Sequence, residues 1–395
     1  MLEKTIYRRL LSRAFDIPVT VTYWDGKTEA YGTGKPKIGI EIKKEITIKN
    51  LTSQPTLTLG EAYMRGDIEI NGSIQELVAS AYRNVGSFLT DKKFVKFLPK
   101  MSHSEEADKK DVQSHYDIGN DFYRLWLDKT MTYSCAYFEH PDDSLETAQM
   151  NKVRHILYKL HPAAGGRLLD IGSGWGTLII TAAKEFHLKT IGITLSEEQY
   201  EYTKKQIQDN NLQEQVEVRL MDYRDLKDEQ FDYVTSVGMF EHVGKENLGL
   251  YFKKIKELLM PNGRALIHGI TGQHQGVGVD PFLNKYIFPG GYIPNMAENI
   301  VHIMDAGLQL NDLEPLRRHY QATLEHWYHN YHKVFDQTAQ RYGKDFARMW
   351  DLYLQGAAAS FEAGNIDVMQ FLVTNGPSGI KLPMTRNYIY EHELS

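Results

Sequence analysis

Leu168-Leu169-Asp170-Ile171-Gly172-Ser173-Gly174-Trp175-Gly176 is the stretch whose reading decides the fold. Leu168, Leu169 and Ile171 form an apolar run of the kind buried in a parallel strand, and three glycines follow at alternate positions. Behind them, Thr177 to Phe186 has the composition of a helix. Strand, glycine-rich turn and helix N-terminus together make a nucleotide-binding corner. Gly172 and Gly174 let the backbone turn sharply and approach a ligand that a Cβ would push away. Asp170 supplies a carboxylate at the strand end. An ordinary corner without a ligand has the same local pattern, so the strands that follow must decide.

A dinucleotide site requires G-x-G-x-x-G and an acidic residue about 20 residues further on for the ribose. Here the spacing is G-x-G-x-G, and the next strand, Lys189 to Ile193, runs into Thr194-Leu195-Ser196 with no carboxylate in the turn. A third strand, Val216 to Leu220, ends at Asp222, well placed for an adenine amino group. An adenosine ligand without a pyrophosphate fits better, and S-adenosylmethionine (SAM) is the expected one. Strands and helices keep alternating: Phe231–Val237, a helix over Leu248–Leu259, a turn at Pro261-Asn262-Gly263, Arg264–His268, and finally Met369–Thr374. Alternation of this kind predicts an α/β fold, a mostly parallel sheet with helices on both faces. Ligands then sit at the carboxyl ends of the strands, where Glu241 and His268 both fall.

With 395 residues the chain can hold two or three domains. No run approaches the roughly 18 apolar residues that span a bilayer, and Met1 to Ile6 lacks the apolar stretch of a signal peptide. The single cysteine, Cys135, has no internal partner for a disulfide, which suits a reducing cytoplasm. Net charge is −6, unevenly spread: residues 1–100 hold 16 Lys/Arg and 11 Asp/Glu, hence +5, and the remaining 29 against 40 give −11. A basic first quarter points to an anionic partner, phospholipid or nucleic acid.

In that first quarter, Leu2 to Phe15 reads as a basic amphipathic helix, able to lie on anionic lipid or to dock on its own domain. Val19, Val21 and Tyr23 alternate before Asp25-Gly26, then Ile38, Ile40 and Ile42, with Ile46 and Ile48 continuing the pattern. Leu59 to Gly66 reads as a helix, Ile68 and Ile70 as a strand, and Ser73 as the cap of a helix toward Asn84. Residues 1–100 thus form a small α+β domain, Asp91–Lys100 being its last helix or a membrane-facing patch. Residues 101–111 have linker composition, and 112–395 form the second domain. There Tyr116 to Asp128 is expected to be helical, as is Thr323 to Phe361. The glycine- and proline-rich stretch Gly276–Pro294 suits a lid or channel wall. His326, His329 and His332 lie three apart without a nearby cysteine, so no metal site is expected. Cys135, among aromatics, reads as inert packing rather than a nucleophile.

Taken together, YDIGNDFYRLWLD (116–128), MTYSCAYF (131–138), LDIGSGWG (169–176), ITLSEEQ (193–199), VGMFEHVG (237–244), DPFLNKYIFPGGY (280–292) and RRHYQATLEHW (317–327) resemble the cyclopropane-fatty-acyl-phospholipid synthases and the shorter mycolic acid cyclopropane synthases. The match covers about residues 112–374, and the extra N-terminal domain looks like the phospholipid-acting branch. Ser173 stands where relatives commonly carry cysteine. The resemblance implies a class I SAM-dependent methyltransferase, Rossmann-like. It places SAM against Tyr133, Ser134, Gly172, Gly174, Trp175, Gly176, Thr194, Ser196, Gln199 and Asp222, beside Asp170 from the strand itself. It also implies a bicarbonate ion held by Cys135, Glu241, His268, Ile270 and Tyr320. Nothing in composition or spacing points to bicarbonate.

The implied reaction moves the SAM methyl onto a cis double bond of an unsaturated phospholipid acyl chain and closes a cyclopropane ring. An alkene is a feeble nucleophile, so it must be fixed in line with the methyl and kept from water. Positive charge left on the acyl chain is stabilised by aromatic faces. Bicarbonate, oriented by Glu241 through hydrogen bonds to His268 and Tyr320, is expected to take the proton. The alternative is a methyltransferase that stops after transfer, giving a methyl-branched lipid or a methylated small amine; a third is a lipid-binding protein with a dead methyltransferase fold. Expected partners are an unsaturated phospholipid membrane, met peripherally at the inner face of the cell membrane through the N-terminal domain, and a second copy in a homodimer. Nucleic acid is not expected.

Overall fold

The computed structural model describes residues 2–85, 119–273, 279–376 and 379–391. The expected linker 101–111, the Asp91–Lys100 segment and residues 116–118 lie outside them. Packing divides the chain into two units: residues 1–100, 276–289 and 324–366 in one, and 101–275, 290–323 and 367–395 in the other. The first unit is thus more than the contiguous first hundred residues.

In the first unit, β1 (Val19–Thr22), β2 (Thr28–Tyr31), β3 (Ile38–Ile42) and β4 (Ile68–Asn71) form a sheet in the order β2-β1-β3-β4. The β1–β2 hairpin turns at Asp25-Gly26, where Gly26 adopts φ +77°. Val19, Val21, Tyr23, Ile38 and Ile42 are buried in one cluster with Tyr7 of the helix Leu2–Ala14. Ser73 accepts a hydrogen bond from Glu76 N at 3.1 Å and caps Ile74–Val85 as its position predicts. Residues 48–53 differ from expectation, being helical rather than a continuation of the strand. Two isoleucines two apart are too short a pattern to specify a strand, and both edges of β3 are already taken by β1 and β4. Residues 324–362 are helical throughout, broken at Val334 and Gly343.

The second unit holds seven strands: β5 (Arg167–Ile171), β6 (Lys189–Thr194), β7 (Val216–Leu220), β8 (Phe231–Val237), β9 (Leu259–Gly272), β10 (Gln309–Pro315) and β11 (Ile366–Thr374), in the order β10-β11-β9-β8-β5-β6-β7. The pairs β5–β6, β6–β7, β5–β8 and β8–β9 are parallel, and β10–β11 is antiparallel. The fold is α/β. β5 lies inside the sheet, between β8 and β6, and its apolar run serves both faces. Leu169 and Ile171 enter the core that contains Tyr251 and Phe252, whereas Leu168 enters the one that contains Ile179 and Ala182. All three are at most 1% exposed, so each contributes about 1.5–3 kcal/mol of burial. β9 runs through the expected turn at Pro261–Gly263, with Asn262 at φ +62° marking the irregularity. Among the described residues of the aromatic segment only Asn120–Tyr123 is α-helical; Phe122, Tyr123 and Trp126 pack as a cluster of edge-on and tilted rings instead of continuing the helix. No helix among the described residues is long and apolar enough to cross a membrane.

Candidate active site

The corner after β5 is built by three glycines in the left-handed region: Gly172 (φ +80°), Gly174 (φ +54°) and Gly176 (φ +85°). Gly172 N and Ser173 N both donate to Ile193 O, at 3.0 and 2.9 Å, which folds the loop over the end of β6. A Cβ on Gly176 would lie 2.5 Å from Thr203 Cγ2, so only glycine lets the loop pass the neighbouring helix. The helix Thr177–Phe186 starts there, its first N–H groups free for a ligand.

One cavity opens at this corner. Asp170, Gly172, Gly174, Trp175 and Thr194 line it from the sheet side; Tyr133, Ser134, Gln199 and Asp222 complete the expected set. Gly176 and Ser196 are not on its wall and act by shaping it. Ser196 Oγ accepts from Gln199 N at 3.3 Å and caps the helix Glu197–Asp209, while Thr194 Oγ1 donates to Gln199 Oε1 at 2.8 Å. Trp175 is pinned by its indole N–H to Asn120 Oδ1 at 2.6 Å. Tyr123 packs behind both Trp175 and Tyr133, with ring centroids 5.4 Å apart in each pair.

Two carboxylates line the cavity with different partners. Asp170 is buried, with Oδ1 accepting from Thr235 Oγ1 at 2.8 Å, and burial pushes it up to about 6. Asp222 accepts from Arg224 N at 2.8 Å and from the Arg224 guanidinium at 2.9 and 2.7 Å. An adenine amino group at Asp222 would therefore share an oxygen with Arg224. Lys152, Arg224, Met239 and His242 also line the cavity and were not singled out from the sequence. Burial pushes His242 down to about 4, keeping it neutral.

The residues expected to hold an anion are not on that wall. Glu241 sits in the turn Phe240–His242 after β8. Its Oε1 accepts from Ile270 N at 2.6 Å, while Oε2 is buried without a hydrogen-bond partner. Burial raises this carboxyl to about 7. His268 on β9 does not pair with Glu241 as expected. Its Nδ1 takes the Gln370 amide at 3.2 Å, because β11 lies beside β9 and presents Gln370 there. With the amide donating, the ring proton sits on Nε2, which is buried and unpartnered. Burial depresses His268 to about 3, so the ring is neutral. Cys135 is fully buried, its thiol 3.3 Å from Ala136 O and 3.9 Å from Leu316 O. Burial raises the thiol well above its usual range, so it is no nucleophile. Tyr320 lies half-buried one turn beyond Leu316. No cluster of three metal-ligating side chains occurs among the described residues.

Residues 103–371 match the family described as Mycolic acid cyclopropane synthetase, and residues 6–93 match a domain of unknown function, DUF7884. A probable fatty acid methyltransferase of Pseudomonas putida is 37% identical over 386 residues, covering 96% of this chain and 98% of that protein. The cyclopropane-fatty-acyl-phospholipid synthase of Escherichia coli K12 is 38% identical over 264 residues, 67% of each chain. Among solved structures, mycolic acid cyclopropane synthase CmaA1 complexed with SAH and CTAB superimposes with a TM-score of 0.64 at 33% identity, covering 67% of this chain and 98% of that one.

Proposed function

This chain belongs to the mycolic acid cyclopropane synthetase family of SAM-dependent methyltransferases, and from that premise we propose that it converts cis double bonds of unsaturated phospholipid acyl chains to cyclopropanes. The supporting observation is the pair of buried, unpartnered polar atoms Glu241 Oε2 and His268 Nε2, Glu241 lying in the turn after β8 and His268 within β9 opposite Val237, the last residue of β8.

SAM supplies an electrophilic methyl on a sulfonium, and the glycine corner, Thr194, Gln199 and Asp222 are the residues that would hold it. Tyr133 and Trp175 are among the residues lining that cavity, and an aromatic face favours cations without being alkylated. The neutral Cys135 likewise offers no competing nucleophile.

A bicarbonate ion supplies a base for the departing proton, and the donor set fits a small anion. His268 has a spare N–H, and Glu241 with its raised pKa carries a hydroxyl proton much of the time near neutral pH. A neutral carboxyl donates to an anion that an ionised one would repel. Ile270 N–H fixes the rest of the Glu241 group. These residues would orient and hold the proton acceptor, and their burial would exclude water.

The first experiment is incubation of the full chain with SAM and monounsaturated phospholipid vesicles, followed by acyl-chain analysis. Upfield methylene protons mark a ring. A methyl doublet would instead establish the second reading, a methyl-branched product, which the full-length likeness to a probable fatty acid methyltransferase keeps in play.

The proposal includes peripheral binding at the inner face of the membrane through the first unit. In the helix Leu2–Ala14, Lys4 pairs with Asp25 at 2.8 Å, Arg8 pairs with Glu29, and Tyr7 is buried, so that side docks on its own domain. Arg9, Leu10 and Arg13 remain exposed for lipid.

A further inference from the structure

The helix Leu145–Leu160 carries two buried lysines seven residues apart, and only one is neutralised. Lys159 is fully buried and pairs with Asp312 Oδ2 at 2.8 Å and Glu314 Oε2 at 2.6 Å. Lys152, two turns earlier on the same side, is 3% exposed, and its one hydrogen bond is to Ser134 Oγ at 2.8 Å. Among the described residues no carboxylate makes an ion pair with it. An ammonium has three protons to donate, and burying it without a counter-charge is costly. A lysine kept only for packing would be matched as Lys159 is.

Lys152 lines the same cavity as Asp170. Asp170 is buried too and has Thr235 but no cation as partner. One wall thus holds a buried ammonium and a buried carboxylate that do not form an ion pair with each other. A ligand head bearing both charges on one carbon, an α-amino acid, satisfies the two together. The frame is fixed beforehand: Gln149 Nε2 donates to Ser134 O at 2.9 Å and to Thr132 O at 3.3 Å, holding the strand of chain that presents the Ser134 hydroxyl. Burial lowers Lys152 to about 8, which leaves it mostly charged at neutral pH.

We propose that Lys152, positioned by Ser134, binds the α-carboxylate of SAM while Asp170 faces its α-ammonium. The assignment rests on the cavity being the SAM site. Bicarbonate presents similar oxyanion chemistry, and the test separates the two.

Calorimetry on the full chain uses two probes: S-adenosylhomocysteine, which carries the amino-acid head, and methylthioadenosine, which lacks it. Lys152→Met is expected to weaken S-adenosylhomocysteine by roughly 10- to 100-fold, the worth of a hydrogen bond to a charged group. Methylthioadenosine should change by less than about twofold, since it makes no such bond. Equal loss for both probes means that Lys152 is structural and overturns the assignment. Unchanged S-adenosylhomocysteine binding with a raised bicarbonate requirement in turnover means that the ammonium serves the other anion, and overturns it as well. If Lys152→Met does not fold by circular dichroism, Ser134→Ala carries the test, with the same selectivity expected at roughly 2- to 10-fold; no selectivity there overturns it. A wild-type chain that binds neither probe removes the SAM reading itself, and the assignment with it.

Discussion

Glu241 has one oxygen fixed by the Ile270 N–H and the other buried with nothing to bond; burial raises its pKa from 4.5 to about 7, against the lowering effect of the Ile270 N–H. Glutamine keeps the shape and a donor but takes no part in proton exchange. Glu241→Gln should therefore lower turnover by about 10²–10⁴-fold while leaving SAH affinity within about twofold, because the residue is off the cavity wall. Equal loss of both in parallel titrations would count against its role. The same residue sets a pH signature. A carboxyl whose folded pKa is raised favours the protonated state, so its contribution to stability is full below about 4.5 and declines as pH rises through about 7. Relative to Glu241→Gln, the wild type should lose about 3 kcal/mol between pH 4 and pH 8. Urea midpoints that run parallel for the two proteins across that range would refute the burial argument.

At the scale of elements, the glycine loop was legible because a requirement for positive φ is written in residue identity. Gly176→Ala meets two obstacles, a left-handed backbone and Thr203 Cγ2 at 2.5 Å. The expected cost is about 2–4 kcal/mol, with SAH affinity falling at least about tenfold. Adding Thr203→Ser should recover the steric share and leave the backbone share; no recovery in melting temperature would mean that Thr203 is not the obstruction. Lys152 was illegible for the opposite reason. Its local sequence, Asn151-Lys152-Val153, is ordinary for an amphipathic helix, and its meaning lies in what does not approach it in space. The aromatic run ending at Asp128 misled because ring clusters and helices share a composition, and only packing separates them. The basic helix Leu2–Ala14 allows either lipid contact or docking on its own domain, and Asp25 and Glu29 take up two of its four basic side chains from a hairpin that the helix pattern does not foresee. If the rest meets lipid, Arg9→Glu with Arg13→Glu should weaken binding to anionic vesicles by about tenfold, at about 1 kcal/mol per basic residue before repulsion is added. Unchanged sedimentation with the vesicles would remove this face from the membrane proposal.

The whole molecule departs most from a reading in chain order. The grouping of 324–366 with the first unit carries no local signal, since nothing in a helix declares which distant surface it will cover. Within that unit Arg348, 6% exposed, donates to the carbonyls of Tyr63 and Ile68 and pairs with Glu69 at 2.9 Å. Asp351, 7% exposed, accepts from Tyr63 Oη at 2.7 Å. Removing residues 1–100 would leave both charges without these partners. Losing one side of a buried charged pair costs about 3–5 kcal/mol, a large share of a domain's stability. A fragment of residues 101–395 is therefore expected to melt well below the full chain, even though solved relatives of about that length stand alone. Replacing Arg348 by Met and Asp351 by Asn in the fragment removes the stranded charges and should restore part of the loss. Matching thermal unfolding of the full chain and the unaltered fragment would show that the first unit's segments do not depend on one another. Deletion would then be a clean test of its membrane role. If the fragment is instead destabilised, its lost turnover says nothing about lipid, and the charge reversals at Arg9 and Arg13 are the experiment that does.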